Sequence, residues 1–276
     1  MFNILGRYHT LSATRATDNG MYLQLADLEV LLPARYVPAD LQPGGSIEVF
    51  VYTDSEDRLV ATTERPAGQV GDIVALPVVD KVAFGVFMDW GLAKHLLVPK
   101  SEMGQPMEVG QRYVVRIMVD YRSNRLIGVN KLAPFLETPA DLQEGQQVEG
   151  LVYDKGELGY RIICNGRFAG LLYHNRVYRG LATGEAVTCY IDNIRADGKV
   201  DLRLTAGGLA GVEAEAATLL SALEGAGGFL PFTDKTPPEL IKDQLGMSKK
   251  AFKRALGRLY KARQVAIEAE GIRRLA

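Results

Sequence analysis

One hairpin design recurs three times along this chain, and that recurrence limits the fold more than any other feature. Gly45 opens Ser-Ile-Glu-Val-Phe-Val-Tyr, followed by the polar turn Asp54-Ser55-Glu56-Asp57 and the strand from Arg58. Gly110 opens Gln-Arg-Tyr-Val-Val-Arg-Ile-Met-Val-Asp, with the turn Tyr121-Arg122-Ser123-Asn124 and a strand from Arg125. Gly184 opens Glu-Ala-Val-Thr-Cys-Tyr-Ile-Asp, with Ala196-Asp197-Gly198 and a strand from Lys199. Each is β-branched alternation, a Gly/Asp/Asn turn and renewed alternation, the pattern of an antiparallel hairpin. The copies begin roughly 65 to 75 residues apart, one small domain each.

A matching three-strand half precedes each hairpin. In the second copy strands are predicted over Ile73–Val82, Gly85–Asp89 and Leu96–Val98, and in the third over Gln147–Asp154, Gly159–Cys164 and Phe168–Tyr173. In the first, Asn19-Gly20-Met21-Tyr22 answers Phe84-Gly85-Val86-Phe87, and Leu32-Pro33-Ala34-Arg35 answers Val98-Pro99-Lys100-Ser101. Five short strands in this length match an OB barrel, a fold whose central strands face single-stranded ligands. After Thr205 the pattern changes. Residues 206–211 read as a linker, 212–223 as an alanine-rich helix, and Thr236 as the cap of a helix ending at Leu245-Gly246. Ser248 caps a further helix to about Arg263, and a hairpin turns around Ala269-Glu270-Gly271. The expected fold is mainly β: three tandem five-stranded OB-fold barrels (1–65, 66–136, 137–206) followed by an α+β winged-helix domain (212–276).

Charge is uneven beneath a net value of −1. Residues 66–136 carry 8 basic and 6 acidic side chains, and 212–276 carry 11 and 8, so these two segments are the basic ones. The second copy also holds two exposed-type aromatics, Phe84 and Phe87, among Lys81, Lys94 and Lys100. Rings beside fixed cations suit single-stranded nucleic acid, because bases stack while phosphates seek positive charge. Strict alternation sends positions 84 and 87 to opposite faces, so both face outward only if a bulge falls at Gly85. In the last segment Phe252, Ala255, Leu256, Leu259 and Tyr260 share one helix face. Lys250, Lys253, Arg254, Arg258 and Lys261 share the other, a face fit for a nucleic-acid groove or for solvent.

The Phe-Gly-Val-Phe-Met run, followed by Leu-Leu-Val-Pro-Lys-Ser-Glu, resembles the second and third strands of the RNA-binding repeats of the ribosomal S-one protein. Pro99 stands where that pattern usually has His. The order of three such repeats and a winged helix resembles the conserved virulence factor B family of bacterial RNA-binding proteins, with Gly159-Tyr160-Arg161 and Gly170-Leu171-Leu172-Tyr173 adding to the likeness. The resemblance implies RNA binding without catalysis and a regulatory role in gene expression. It transfers the stacking pair to Phe84 and Phe87, and in the third repeat places Tyr173 at the His position with Tyr160 adjacent. Leu158 and Arg161 replace the pair there. The first repeat keeps only Tyr22 and is expected to be mainly structural. The expected RNA-binding set is Lys81, Phe84, Phe87, Lys94, His95, Lys100, Arg116, Lys131, Tyr160, Arg161, Tyr173 and His174.

Other chemistries find little support. His9, His95 and His174 have no Cys or His at metal-ligand spacing, and no phosphate loop, nucleophile elbow or dinucleotide fingerprint occurs. No enzyme, cofactor or metal is expected. Cys164 and Cys189 read as core thiols rather than a disulfide. No segment reads as a signal peptide or membrane span, so a cytoplasmic monomer is expected. Two rival readings remain: a transcriptional regulator whose winged helix grips duplex DNA, and a scaffold whose winged helix docks a protein. The acidic wing, Glu268 and Glu270, disfavours the first.

Overall fold

The computed structural model describes residues 4–177, 179–206 and 208–275. It forms two compact units, residues 1–136 and 137–276. The first unit holds two barrels. Strands β1 (Arg7–Thr17), β2 (Gly20–Leu25), β3 (Leu28–Pro33), β4 (Ser46–Thr53) and β5 (Leu59–Thr62) make one. Strands β6 (Ile73–Val82), β7 (Gly85–Met88), β8 (Leu96–Pro99), β9 (Arg112–Asp120) and β10 (Arg125–Val129) make the other. In the second unit β11 (Gln147–Lys155), β12 (Gly159–Cys164), β13 (Phe168–Tyr173), β14 (Ala186–Ile194) and β15 (Val200–Arg203) close a third. All three close in one order: first, second, third, fifth and fourth strand, with the fourth back against the first. The third and fifth strands run parallel and every other pairing is antiparallel, so the expected OB barrels are present.

Two local devices hold this closure, and both lie near the central face. The first strand of each barrel slips register just before the turn, at Ala13/Arg15, Val78/Asp80 and Val152/Asp154. The carbonyl before each slip accepts a backbone N–H from a left-handed glycine, Gly44, Gly110 and Gly184, at 2.7–2.8 Å. The equivalent glycine in the first barrel is therefore Gly44 and not Gly45. Second, the strand after the turn begins with glycine because the third strand's backbone is too close for a side chain. A Cβ on Gly85 would sit 2.3 Å from the Val98 carbonyl oxygen, and one on Gly159 would sit 2.2 Å from that of Leu172.

These devices correct one expectation. The bulge falls on β6, between Val78 and Asp80, and not at Gly85. Phe84 lies outside the strand, in the two-residue turn Ala83-Phe84 between the paired Val82 and Gly85. Alternation then sends Val86 and Met88 inward and Phe87 outward, so both rings reach the surface without a bulge in β7.

Alternating apolar residues fill each barrel. Phe50, Trp90 and Tyr8 join the first two, with ring centroids 5.2 Å (Tyr8–Phe50) and 5.8 Å (Phe50–Trp90) apart. Cys164 and Cys189 are buried free thiols in the third core, and burial pushes them up to about 12 and about 11.

The winged helix follows, with α1 (Gly208–Gly225), β16 (Phe229–Leu230), α2 (Pro238–Leu245), α3 (Lys249–Lys261), β17 (Val265–Glu268) and β18 (Gly271–Arg274). Its three-stranded sheet has the order β16-β18-β17. The helix begins at Gly208, inside the stretch read as a linker, of which Gly207 lies outside the described residues. Thr236 does not cap α2; its hydroxyl accepts from the Thr233 N–H at 2.8 Å, and Pro237 precedes the helix. Ser248 does cap α3, accepting from the Ala251 N–H at 3.0 Å. Tyr260 is 56% exposed, off the apolar face assigned to it, because a seam through Phe252, Ala255, Leu256 and Leu259 already covers the core.

Candidate nucleic-acid interface

The second barrel presents an open aromatic pair. Phe84 is 61% exposed at the turn and Phe87 is half-buried on the strand. Their centroids lie 6.3 Å apart with planes at 87°, an edge-to-face contact that orients both rings. The Phe84 carbonyl accepts the Lys100 N–H at 2.8 Å, which ties the turn to the end of β8. Pro99, paired with Gly85, adjoins that attachment.

The surrounding cations are fewer than the sequence suggests. Lys94 is a correction: its ammonium donates to the Asp54 carbonyl at 2.6 Å and to the Thr53 hydroxyl at 3.3 Å, and lies 3.5 Å from Asp57. It pins the two barrels together, so it is committed within the protein rather than free. Lys81 is exposed but pairs with Glu108 at 2.8 Å, and Lys131 donates to the Ser101 carbonyl at 2.6 Å. Lys100 and His95 are exposed, with no ion pair or side-chain hydrogen bond of their own among the described residues. Arg116 is half-buried over the Phe135 ring, 4.7 Å from its centroid. Asp80, directly across from Phe87, is exposed, its side-chain oxygen accepting the Lys81 N–H at 2.8 Å.

The third barrel repeats the frame with different chemistry. Leu158 takes the turn position of Phe84 and is 68% exposed, while Arg161 takes the position of Phe87 and pairs with Asp154 at 3.2 Å. Tyr160 is a second correction. It alternates inward and is 6% exposed, its hydroxyl accepting the Leu181 N–H at 3.3 Å. No base can lie on that ring. His174 packs edge-on against it at 5.2 Å and bonds the Gly156 carbonyl at 2.9 Å. Tyr173 is half-buried, with Arg195 hydrogen-bonded to its hydroxyl and Asp201 3.3 Å away. Burial tends to raise the Asp201 carboxyl, but the Arg195 guanidinium outweighs it and holds the group below its ordinary range. In the first barrel Tyr22 is half-buried beneath the Arg15 guanidinium, which lies 3.7 Å from the ring centroid and is held by Glu29 at 3.0 Å. The stacking position there is already occupied by the chain itself, a cover that sequence reading missed.

On α3, Lys250, Lys253 and Lys261 are exposed, without ion pairs among the described residues. Arg254 and Arg258 pair with Glu215 and Glu213 of α1, so two of the five predicted cations are committed internally. Glu215 is 7% exposed, which makes its pairing with Arg254 a structural one. Lys250 and Arg254 nevertheless line a cavity of about 630 Å³ with Arg176, Arg179 and Arg203 of the third barrel, and Asp192 within it pairs with both Arg176 and Arg203. On the wing, Arg273 holds Glu268 at 2.7 Å. Among the described residues no cluster of three or more metal-ligating side chains occurs, and no helix is long and apolar enough to cross a membrane.

Comparison with known proteins agrees with this architecture. Residues 217–273 match the CvfB-like winged helix domain, and residues 5–64 match the S1 domain. YitL of Bacillus subtilis is 29% identical over 93% of this chain and 89% of its own length. Conserved virulence factor B of Staphylococcus saprophyticus is 24% identical over 83% and 80%, and that of Staphylococcus aureus 26% over 83% and 79%. A solved multidomain protein with nucleic acid binding domains from Streptococcus pneumoniae covers 99% of both chains at 22% identity, with a TM-score of 0.49. The likeness to S-one-type repeats and to the conserved virulence factor B proteins is borne out.

Proposed function

We propose that this chain, a relative of the conserved virulence factor B proteins built from S1-type barrels and a CvfB-like winged helix, holds single-stranded RNA and performs no catalysis on it. S1 and winged-helix domains are nucleic-acid-binding types, and the observation that carries the finer reading is the uncovered Phe84–Phe87 pair. Two rings at right angles offer one face at the turn and one on the strand, for neighbouring unstacked bases. Duplex DNA keeps its bases stacked inside, so an open ring pair of this kind favours a single strand.

Magnitudes set the mode of binding. Each base–ring stack contributes about 1–3 kcal/mol, so two rings on one barrel give only weak binding. With Lys94 removed from the set and Lys81 paired, phosphate attraction at this barrel is small as well. Useful affinity then comes from a second module on the same strand, acting through effective concentration. The cavity lined by Lys250, Arg176, Arg179 and Arg203 offers a second foothold, centred on Lys250 because Asp192 holds Arg176 and Arg203 and Glu185 holds Arg179. A role in regulating gene expression, in the cytoplasm and as a monomer, follows as the biological setting of a non-catalytic RNA clamp.

The test is Phe84→Ala with Phe87→Ala, measured by fluorescence anisotropy on a short oligoribonucleotide at fixed salt. The double variant is expected to lose about 2–4 kcal/mol of binding free energy. Its melting temperature should stay close to that of the parent, because Phe84 contributes little to the core. Unchanged affinity with a large thermal loss would make the rings structural. A second reading, duplex recognition by α3, is favoured by the exposed Lys250, Lys253 and Lys261. Competition of duplex DNA against the same RNA separates the two.

A further inference from the structure

Beside the aromatic pair, on the other flank of the Ala83-Phe84 turn, the second barrel holds a cavity of about 560 Å³. Its apolar walls are Ala83 from the turn with Met103 and Pro106 from the segment that leads from β8 to β9, and the lining also includes Met107, a fully buried side chain of the barrel core. Two polar side chains reach it without commitments elsewhere among the described residues, the carboxamide of Gln105 and the ammonium of Lys100. Lys81 also lines it, but Glu108 already holds that amine. The Gly104 N–H at the rim is likewise occupied, donating to the Asn130 carboxamide oxygen at 3.0 Å. The size falls within the range of sites that enclose a small organic ligand. Apolar walls with one uncommitted carboxamide and one uncommitted ammonium suit a ring system that carries an anionic attachment.

We propose that this cavity is an adenine pocket, taking one unstacked base of the RNA strand whose neighbours lie on Phe84 and Phe87. The proposal rests on the RNA reading above. A carboxamide presents a donor and an acceptor side by side, which matches the amino group and adjacent ring nitrogen of adenine. Guanine offers two acceptors on the corresponding edge, one of which would meet the Gln105 carbonyl. Uracil and cytosine have single rings and leave more of the methionine-walled space unfilled. Thioethers adapt their shape to a flat ring and favour contact with its edge. Lys100 lines the cavity and its backbone N–H bonds the Phe84 carbonyl, so a lysine at the boundary between cavity and ring pair would meet the phosphate joining a base in the cavity to a base on the rings. The rings then supply sequence-tolerant affinity and the cavity supplies choice of base.

The experiment compares oligoribonucleotides of about ten nucleotides, a length one barrel can span. Homopolymers of A, G, C and U are titrated into the full chain, into Gln105→Ala and into Ala83→Trp, which fills the cavity from a turn position. The parent is expected to prefer A over C and U about tenfold. Both variants should bring the homopolymers to within about twofold of one another, while binding through Phe84 and Phe87 persists. A parent without adenine preference, a preference for G, or variants that keep the parent's selectivity would each overturn the proposal. In parallel, adenosine monophosphate is titrated while the methyl resonances of Met103 and Met107 are followed. Shifts at both that vanish in Ala83→Trp sustain the pocket even if no oligoribonucleotide binds, an outcome that would sink the RNA reading alone. Absence of those shifts removes the pocket even if RNA binds.

Discussion

The second and third barrels share one frame and treat its binding face in opposite ways. Phe84 and Phe87 in the second become Leu158 and Arg161 in the third, at the same turn and strand positions. Across from them stands the same residue, Asp80 or Asp154, each accepting the next residue's N–H at 2.8 Å beside the register slip. In the third barrel that aspartate finds a partner, because Arg161 reaches it at 3.2 Å. In the second it faces a ring and no cation among the described residues pairs with it, so the ring stays open. The first barrel gives a third solution, an aromatic Tyr22 with Arg15 laid over it. The positions that close the barrel and those that present the face are separate sets, and only the second set differs in chemistry.

The largest expected effect comes from attacking the shared frame. Gly85→Val places a side chain where the Val98 carbonyl oxygen lies 2.3 Å from the Cβ, and the atoms in the way are backbone, with little room to shift. A loss of about 3 kcal/mol or more is expected in urea unfolding followed by the single tryptophan, Trp90. Gly110→Ala is the control. Its left-handed φ of +82° strains alanine, but nothing lies within 4 Å of the added Cβ. About 1–2 kcal/mol is expected there. Equal costs would show that close approach is not what fixes glycine at the start of β7.

This separation explains what was legible in the sequence. The frame is written in local pattern: alternation, turn residues and recurring glycines, so three barrels and a winged helix could be read without knowing any contact. Phe84 and Phe87 were legible for the same reason, although the route differed, since the register slip belongs to β6 and Phe84 to the turn. Long-range partners were not legible. Lys94 looked like a free cation in a basic segment, yet its ammonium meets Asp54 and Thr53, about forty positions away in sequence. Tyr160 looked available because the repeat pattern set it beside Tyr173 at the His position, but alternation from Gly159 sends it inward. Arg254 lost its freedom to Glu215 across a helix–helix contact that no helical wheel displays. Sequence periodicity reports which way a side chain points, and pairing depends on what tertiary packing brings opposite it.

An intermediate effect is expected from converting one face into the other. Leu158→Phe with Arg161→Phe gives the third barrel the ring pair of the second, on a frame with the same turn. Each new stack should add about 1 kcal/mol to oligoribonucleotide binding, measured in the Phe84→Ala, Phe87→Ala background so that the gain stands alone. Asp154 would lose Arg161 but keep the Lys155 N–H, and its pair with Arg161 is exposed, so stability should change little. No gain would mean that the second barrel binds through something other than its two rings, and the cavity lined by Gln105 would become the principal site.

The smallest effect concerns the first barrel, and it isolates coverage from composition. Tyr22 sits where Phe87 does, so the aromatic is present and only the guanidinium of Arg15 lies over it, 3.7 Å from the ring centroid. Removing that cation in Arg15→Ala forfeits an exposed cation–π contact and frees Glu29, whose carboxyl Arg15 and Thr14 hold below its ordinary range. The ring becomes available to a base, but a positive charge is lost beside it and an acidic one is released. These changes oppose one another: the gain from base stacking is offset by the unfavourable charge, so binding should rise by no more than about twofold at moderate salt. Raising the salt screens Glu29 and should widen the variant's advantage over the parent. A fall in affinity at every salt concentration would instead show that Arg15 itself contacts the strand, and that the first barrel uses its stacked guanidinium as the platform.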